Sequence, residues 1–243
     1  MTLVLILIAA VLPALGLLYF IYRKDDLRQE PPSEILKAFA FGALSVPASF
    51  LVSYPLKWIG LYPEVMSTLG DSVLTSFFGA GIPEELAKIV LLFIFVRRCR
   101  YFDEWVDGIV YAACVGLGFA AVENIMYLFM NMGDWISIGA LRAVLSVPGH
   151  FFFAVTMGYF FSRAWFGDPS RRLLNSALAF IVPMLLHGLF DTLLFANTLL
   201  GGAAVLIDLF LALYIFMAVK SRKFYLEHRR MDMISPQITR IDK

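Results

Sequence analysis

Charge is scarce in this sequence. Asp, Glu, Lys and Arg account for only 16% of the 243 residues, whereas 60% are hydrophobic. Soluble domains usually contain about 25% charged and about 45–50% apolar residues. The shortage of charge therefore excludes an ordinary water-soluble domain and indicates a protein whose solvent is the lipid bilayer.

Cysteine and excess basic charge are also lacking. The two cysteines, Cys99 and Cys114, fit neither a disulfide framework nor a Cys-x-x-Cys metal motif, so we expect free thiols. The net charge of +1 gives no reason to expect a nucleic-acid partner. The first apolar run, residues 2–22, lacks a basic leading segment and an A-x-A exit, so we interpret it as a retained helix and not as a signal peptide.

Long hydrophobic runs dominate what is present. A hydrocarbon core about 30 Å thick requires roughly 20 apolar residues per helix. Seven stretches meet this requirement, at about residues 2–22, 35–56, 72–96, 106–130, 138–162, 173–196 and 202–219. The connections between them are short and polar. The sequence therefore predicts an all-α, polytopic membrane protein of about seven transmembrane helices in a single domain, 1–243.

The positive charges alternate between the connections. Clusters of Lys and Arg follow the first, third, fifth and seventh helices, whereas the loops between hold only Lys57. Cytoplasmic loops are enriched in Lys and Arg. We therefore predict that the N-terminus lies outside, and that the C-terminus lies in the cytoplasm with a cytoplasmic tail over residues 220–243.

Ionisable and polar residues remain inside four of the predicted helices. A charge at a helix centre costs about 2.5–3.5 kcal/mol, so such residues face a bundle interior or a wet cavity and mark function by default. Counted from the predicted outer ends, Glu84 and His150 lie about 18 Å deep, and Glu123 and His187 about 12–15 Å deep. The set comprises Glu84, Glu85, Lys88, Glu123, Asn124, Arg142, His150, His187 and Asp191.

Spacing relates several of these residues. Glu84 and Lys88 are four residues apart, so they share a helix face and can neutralise each other. His187 and Asp191 repeat this spacing, which suits a carboxylate that orients an imidazole. Glu85 points about 100° away from Glu84, so the two acids have different neighbours. Prolines at or just before the key groups bend these helices and can open space for water.

Each feature alone also has a structural interpretation. Glu84 and Lys88 can form an ion pair, Asn124 can hold helices together, and Arg142 can anchor the interface or pair with Glu123. Three glutamates, two histidines and an aspartate at one depth exceed what packing needs. We therefore predict that the glutamates and histidines converge on one polar cavity, which opens toward the outer side.

Two chemistries suit this set, since hydrolysis in a bilayer needs a base for water and donors for the oxyanion. His150 and His187 with one carboxylate, Glu84 or Glu85, have the ligand types of an open zinc site. Alternatively, a glutamate activates the water without metal, and the nearby cation of Lys88 favours this option with Glu84 as the base. The zinc-protease motif HExxH is absent.

The same residues form an ordered set of motifs. They are Tyr22-Arg23-Lys24-Asp25, Glu30-Pro31-Pro32, Glu84-Glu85-x-x-Lys88, Phe119-x-x-x-Glu123-Asn124, His150 and His187-x-x-x-Asp191. With these motifs the chain resembles, over about residues 20–195, the PrsW family of bacterial intramembrane proteases. The wider superfamily, which includes CAAX prenyl endopeptidases and bacteriocin-processing enzymes, typically has His at the place of Glu123.

The resemblance implies an intramembrane protease of the cell inner (cytoplasmic) membrane with a catalytic core at about 72–196. It implies site-1 cleavage of a membrane-anchored anti-sigma factor or a similar single-pass protein on the extracytoplasmic side. A proton- or ion-coupled transporter would also place acids and histidines at the midplane, but such folds often contain inverted repeats, and the two halves show no symmetry. A non-catalytic scaffold is the other alternative.

The charge asymmetry generates a topological prediction. A reporter fused after Lys223 should be cytoplasmic, and one fused at Glu64 should be outside, because positive charge is retained on the cytoplasmic side. Paired alkaline phosphatase and fluorescent-protein fusions measure this. Both sites on the same side of the membrane would contradict the seven-helix topology.

Overall fold

The described part of the chain, residues 2–234 of a computed structural model, contains helices and no strand. A π-helical segment, Thr75–Gly81, joins two of the helices without a break. The helices are α1 (Thr2–Lys24), α2 (Pro32–Trp58), α3 (Leu69–Leu74), α4 (Ile82–Val96), α5 (Trp105–Met130), α6 (Trp135–Val144), α7 (Ser146–Phe166), α8 (Arg172–Leu199) and α9 (Ala204–Ile234).

The predicted all-α polytopic architecture is confirmed. Six helical runs have the length and apolar composition to cross a membrane, if α6 and α7 are taken as one run. The remaining predicted span, the third at 72–96, corresponds to α3, the π-helical segment and α4 in succession. The seven predicted crossings thus correspond to six candidate spans and to one further helical run, which is π-helical at its centre.

Helix α5 lies at the centre of the bundle, and its glycines set how closely its neighbours approach. A Cβ atom added at Gly118 would lie 2.0 Å from the carbonyl oxygen of Phe39 in α2. A Cβ added at Gly158 of α7 would lie 2.2 Å from the carbonyl oxygen of Gly108 in α5. Small residues permit such backbone contact between membrane helices, and here they position α5 and α7 side by side.

Two prolines explain why the predicted helices are interrupted. Pro148 has no N–H to donate to the carbonyl of Val144; α6 ends there, and the hydroxyl of Tyr214 donates to that carbonyl at 2.6 Å instead. Pro83 likewise leaves the preceding turn without its usual bond. Just before it, the N–H of Ile82 bonds to the carbonyl of Phe77, five residues back.

The C-terminal helix extends beyond the predicted span. Residues 220–234 of the predicted tail continue α9, and residues 235–243 lie outside the described residues. Asp232 accepts hydrogen bonds from the N–H groups of Trp105 and Val106 at 2.7 and 2.9 Å, and His228 Nδ1 donates to the carbonyl of Trp105 at 3.0 Å. The end of α9 therefore caps the start of α5.

Segments that the positive charges assign to the cytoplasm contact one another. Arg28, after α1, pairs with Asp103, before α5, at 3.2 Å. Asp26, also after α1, pairs with Arg229 of α9 at 2.9 Å. The loop after α1 also contains Glu30, which is buried and accepts a hydrogen bond from the Tyr111 hydroxyl. Burial raises the pKa of Glu30 to about 7.

This shift predicts a pH-dependent stability. The folded state holds the Glu30 proton more tightly than the unfolded chain, in which the ordinary pKa is 4.5. Its contribution is therefore fully present below about pH 4.5 and is lost as the pH rises toward about 7. Glu30→Gln should reduce the fall in melting temperature between pH 5 and pH 8, because the amide does not ionise.

The measurement is thermal unfolding of purified protein in detergent across this pH range. Glu64→Gln is the matched control, because the Glu64 side chain is 84% exposed. Parallel pH profiles for the wild type and Glu30→Gln would contradict the assignment.

Candidate functional site

Ionisable side chains from five helices meet around one cavity of about 300 Å³. Helix α4 contributes Glu84, α5 Glu123, α6 Arg142, α7 His150, and α8 His187 and Asp191. Toward the predicted outer side the cavity is bounded by Tyr62, Thr75, Tyr127, Leu194 and Phe195. As expected from their common depth, these polar groups face one space that extends toward the predicted outer side.

Lys88 connects the groups behind this cavity. Its Nζ lies 2.7 Å from Glu85 Oε1, 3.5 Å from Glu84 Oε2 and 3.1 Å from His150 Nδ1. The same ammonium lies 4.0 Å from the ring centroid of Phe119. The sequence predicted that Lys88 neutralises Glu84, but the closer partner is Glu85, which is fully buried.

Glu85 also orients His187. Its Oε1 lies 2.8 Å from His187 Nδ1, and since a carboxylate only accepts, that nitrogen carries the proton. The other nitrogen, Nε2, lies 3.8 Å from Glu84 Oε2 and 3.4 Å from Asp191 Oδ2. The ring stacks on Phe153 with centroids 4.7 Å apart. Asp191 was predicted to orient His187, yet Glu85 makes the shorter contact.

Glu123 is held from two sides. Arg142 Nη2 donates to Glu123 Oε2 at 2.6 Å, and His150 Nε2 lies 2.8 Å from the same oxygen. Because the Lys88 ammonium donates to Nδ1 of His150, its Nε2 carries the proton. Arg142 Nε donates to Asn124 Oδ1 at 2.6 Å. The expected pair of Arg142 and Glu123 is present, with Asn124 in a supporting position.

Glu84 differs from the other two glutamates. Its Oε2 is buried and has no hydrogen-bond partner among residues 2–234, although the side chain lines the cavity. Glu85 does not line the cavity and lies behind it. The sequence did not distinguish the two adjacent acids, and their contacts do. Glu85 accepts two hydrogen bonds through Oε1 and has only Oε2 without one, whereas Glu84 makes longer ion contacts but no hydrogen bond within residues 2–234.

The site contains a candidate metal triad. One ligand atom each from Glu84, His150 and His187 lies within 4.8 Å of the others. Two observations fit a divalent cation such as zinc. Glu84 Oε2 forms no hydrogen bond within residues 2–234, and His187 directs Nε2 toward the carboxylates of Glu84 and Asp191 while its Nδ1 bonds to Glu85. Charge balance also fits, because the cluster has an excess of two carboxylates. The four carboxylates are Glu84, Glu85, Glu123 and Asp191, and the two permanent cations are Lys88 and Arg142.

The π-helical segment is the part of the site that the sequence did not predict. Thr75, Gly79 and Ala80 line the cavity one and two turns before Glu84. A Cβ atom added at Gly188 of α8 would lie 2.5 Å from the Phe77 ring. The only available signal was the run of small residues before Pro83, and π-helical turns are frequent at functional sites.

Comparisons with known proteins identify relatives of the chain. A family model described as PrsW family intramembrane metalloprotease matches residues 30–220. Protease PrsW of Geobacillus kaustophilus is 35% identical over 229 residues, which cover 94% of this chain and 97% of that protein. Protease PrsW of Bacillus subtilis is 36% identical over 191 residues, which cover 79% and 83%. No solved structure gives a significant match.

The close packing at Gly188 yields a prediction. Gly188→Ala should lower the melting temperature, because the added methyl meets the Phe77 ring and overpacking typically costs about 1–3 kcal/mol. Gly16→Ala is the matched helical control, since a methyl group added there would have nothing within 4 Å. Thermal unfolding of both variants in detergent measures the difference. Equal melting temperatures would contradict the packing of the π-helical segment against α8.

Proposed function

Because the chain belongs to the PrsW family of intramembrane metalloproteases, we propose that this membrane-embedded peptidase cleaves a single-pass membrane protein with Glu84 as the group that activates water. One observation carries the proposal: Glu84 has a carboxylate oxygen without a hydrogen bond within residues 2–234, and it lines a cavity together with both intramembrane histidines. The family assignment favours a peptidase over a transporter or a non-catalytic scaffold.

Glu84 is the glutamate best suited to act as a base. A general base needs a lone pair within reach of the water proton. Glu123 already accepts from Arg142 and His150, and Glu85 already accepts from a lysine and a histidine. Glu84 therefore takes the proton while the water oxygen bonds to the scissile carbonyl carbon. Glu84 then returns this proton, through His187 Nε2 at 3.8 Å from its Oε2, to the leaving amine as the peptide C–N bond breaks.

Arg142 is suited to stabilise the charge that develops on the carbonyl oxygen. Its guanidinium has five N–H donors, and contacts within residues 2–234 engage its Nε and Nη2 with Asn124 and Glu123. The remaining donors belong to a side chain that lines the cavity. A preorganised donor of this kind typically contributes about 10²–10³ in rate.

The family description raises the question of a metal. Zinc would be held by Glu84, His150 and His187, whose donor atoms and spacing fit. Zinc bound there would supply a Lewis acid that polarises the scissile carbonyl. For His150 to offer Nε2, that nitrogen would have to give up its proton and release Glu123, which would keep its bond to Arg142.

The substrate class follows from the family resemblance and from the direction in which the cavity extends. Tyr62 lies in the loop before α3, and Leu194 and Phe195 lie near the end of α8, all on the side predicted to be outside. We therefore propose a membrane-anchored anti-sigma factor as substrate, cut near its extracytoplasmic end in the bacterial cytoplasmic membrane. The catalytic core comprises about residues 72–196.

Cleavage of a single-pass substrate in proteoliposomes tests the proposal. The wild type should cut the substrate, and Glu84→Gln should lose about 10²–10⁴ of the rate because the amide is not a base. Its melting temperature should stay near that of the wild type, since the changed oxygen has no hydrogen-bond partner within residues 2–234. Glu64→Gln is the exposed control. A fully active Glu84→Gln protein would contradict the proposal.

Chelation of the same preparation separates the two chemistries. Full activity of protein shown by metal analysis to be metal-free supports Glu84 as an unassisted base. Stoichiometric zinc, with activity lost on chelation and restored by zinc alone, would instead make Glu84 a ligand.

A further inference from the structure

A second cavity lies at the opposite end of the bundle from the mouth of the candidate active site. Its volume is about 600 Å³, and it lies between the ends of α4 and α7 and the start of α8. All three helix ends belong to the side predicted to be cytoplasmic. We call it the inner groove; its walls include Val90, Phe93, Phe161, Trp165, Arg172 and Ala179.

The inner groove combines apolar walls with one cationic side chain. Val90 and Phe93 of α4 face Phe161 of α7 across it. Arg172, the first residue of α8, also lines it. The groove extends about 10 Å along α8, from Arg172 to Ala179, at 1.5 Å per residue. This length matches the upper part of a lipid acyl chain.

Arg172 lacks a counter-ion within residues 2–234, where it forms no ion pair and no side-chain hydrogen bond. The first turn of α8 contains no acidic residue, and the nearby Asp168 accepts from the N–H of Ser170. The guanidinium and the positive end of the α8 dipole therefore lie together. This end of the groove is therefore positively charged, and an anion would neutralise it.

We propose that the inner groove binds an anionic phospholipid, with its phosphate at Arg172 and an acyl chain against Val90, Phe93 and Phe161. Basic pockets between membrane helices on the cytoplasmic side recognise anionic headgroups. A substrate helix suits the groove less well, because its own cytoplasmic flank is enriched in Lys and Arg and would meet like charge. A second copy of this chain would meet the same repulsion.

Quenching of Trp165 tests the site in the full-length protein. The protein is reconstituted in phosphatidylcholine vesicles with a minor fraction of either brominated phosphatidylglycerol or brominated phosphatidylcholine. The Trp165 signal is the difference between the wild type and Trp165→Phe. The proposal expects about a fivefold preference of the Trp165 site for the anionic lipid, the effect of one basic residue near a membrane surface.

Arg172→Gln should remove this preference, and Arg222→Gln, an exposed change on the same predicted side, should retain it. Ala164→Phe, which fills the groove, should reduce quenching by both lipids. Equal quenching by the two lipids, or a preference that survives Arg172→Gln, would overturn the proposal. Loss of lipid quenching on addition of a single-pass helix, or at high protein density, would assign the groove to that helix or to a second copy and would equally overturn it.

Discussion

The contacts of one buried ammonium determine the arrangement of the site. Lys88 is 2% exposed and lies among two carboxylates of its own helix, α4, and an imidazole of α7. An unpaired charge at this depth is costly, so the ammonium and its partners stabilise one another. Through Glu85 it connects α4 to His187 of α8, and directly it connects α4 to His150 of α7. Glycine contacts bring α5 and α7 close enough for Glu123 to complete the set.

This arrangement gives neighbouring acids different roles. Glu85 accepts from Lys88 and His187 through one oxygen and lies behind the cavity, whereas Glu84 lines the cavity and forms no hydrogen bond within residues 2–234. Arg142 donates a hydrogen bond to the carboxylate of Glu123, as Lys88 does to that of Glu85. Two anchored carboxylates thus surround one that is available for chemistry. The remaining negative charge of the cluster suits protons or a divalent cation, and Glu84 can act as the base when such protons reside on other members of the cluster.

The spans and the depth of the ionisable groups could be predicted from the sequence, because apolar length and charge cost are local properties. The pair of Arg142 and Glu123 was one of the two roles expected for Arg142, the other being an interfacial anchor. Helical periodicity separates Glu84 from Glu85 by about 100° but does not show which face looks inward. The π-helical segment changes that register through a bond from Ile82 to Phe77, which no spacing rule contains. The docking of α9 on Trp105 depends on contacts more than 120 residues apart in sequence.

The most direct test of the organising role of Lys88 is a double-mutant cycle between Lys88 and Glu85. Each single change, Lys88→Met or Glu85→Gln, leaves a buried group without its partner, and breaking a buried pair typically costs about 3–5 kcal/mol. The double variant should melt at a higher temperature than Lys88→Met alone, because removing both charges ends the imbalance. Losses in melting temperature that simply add would contradict the claim that this buried ion pair organises the site.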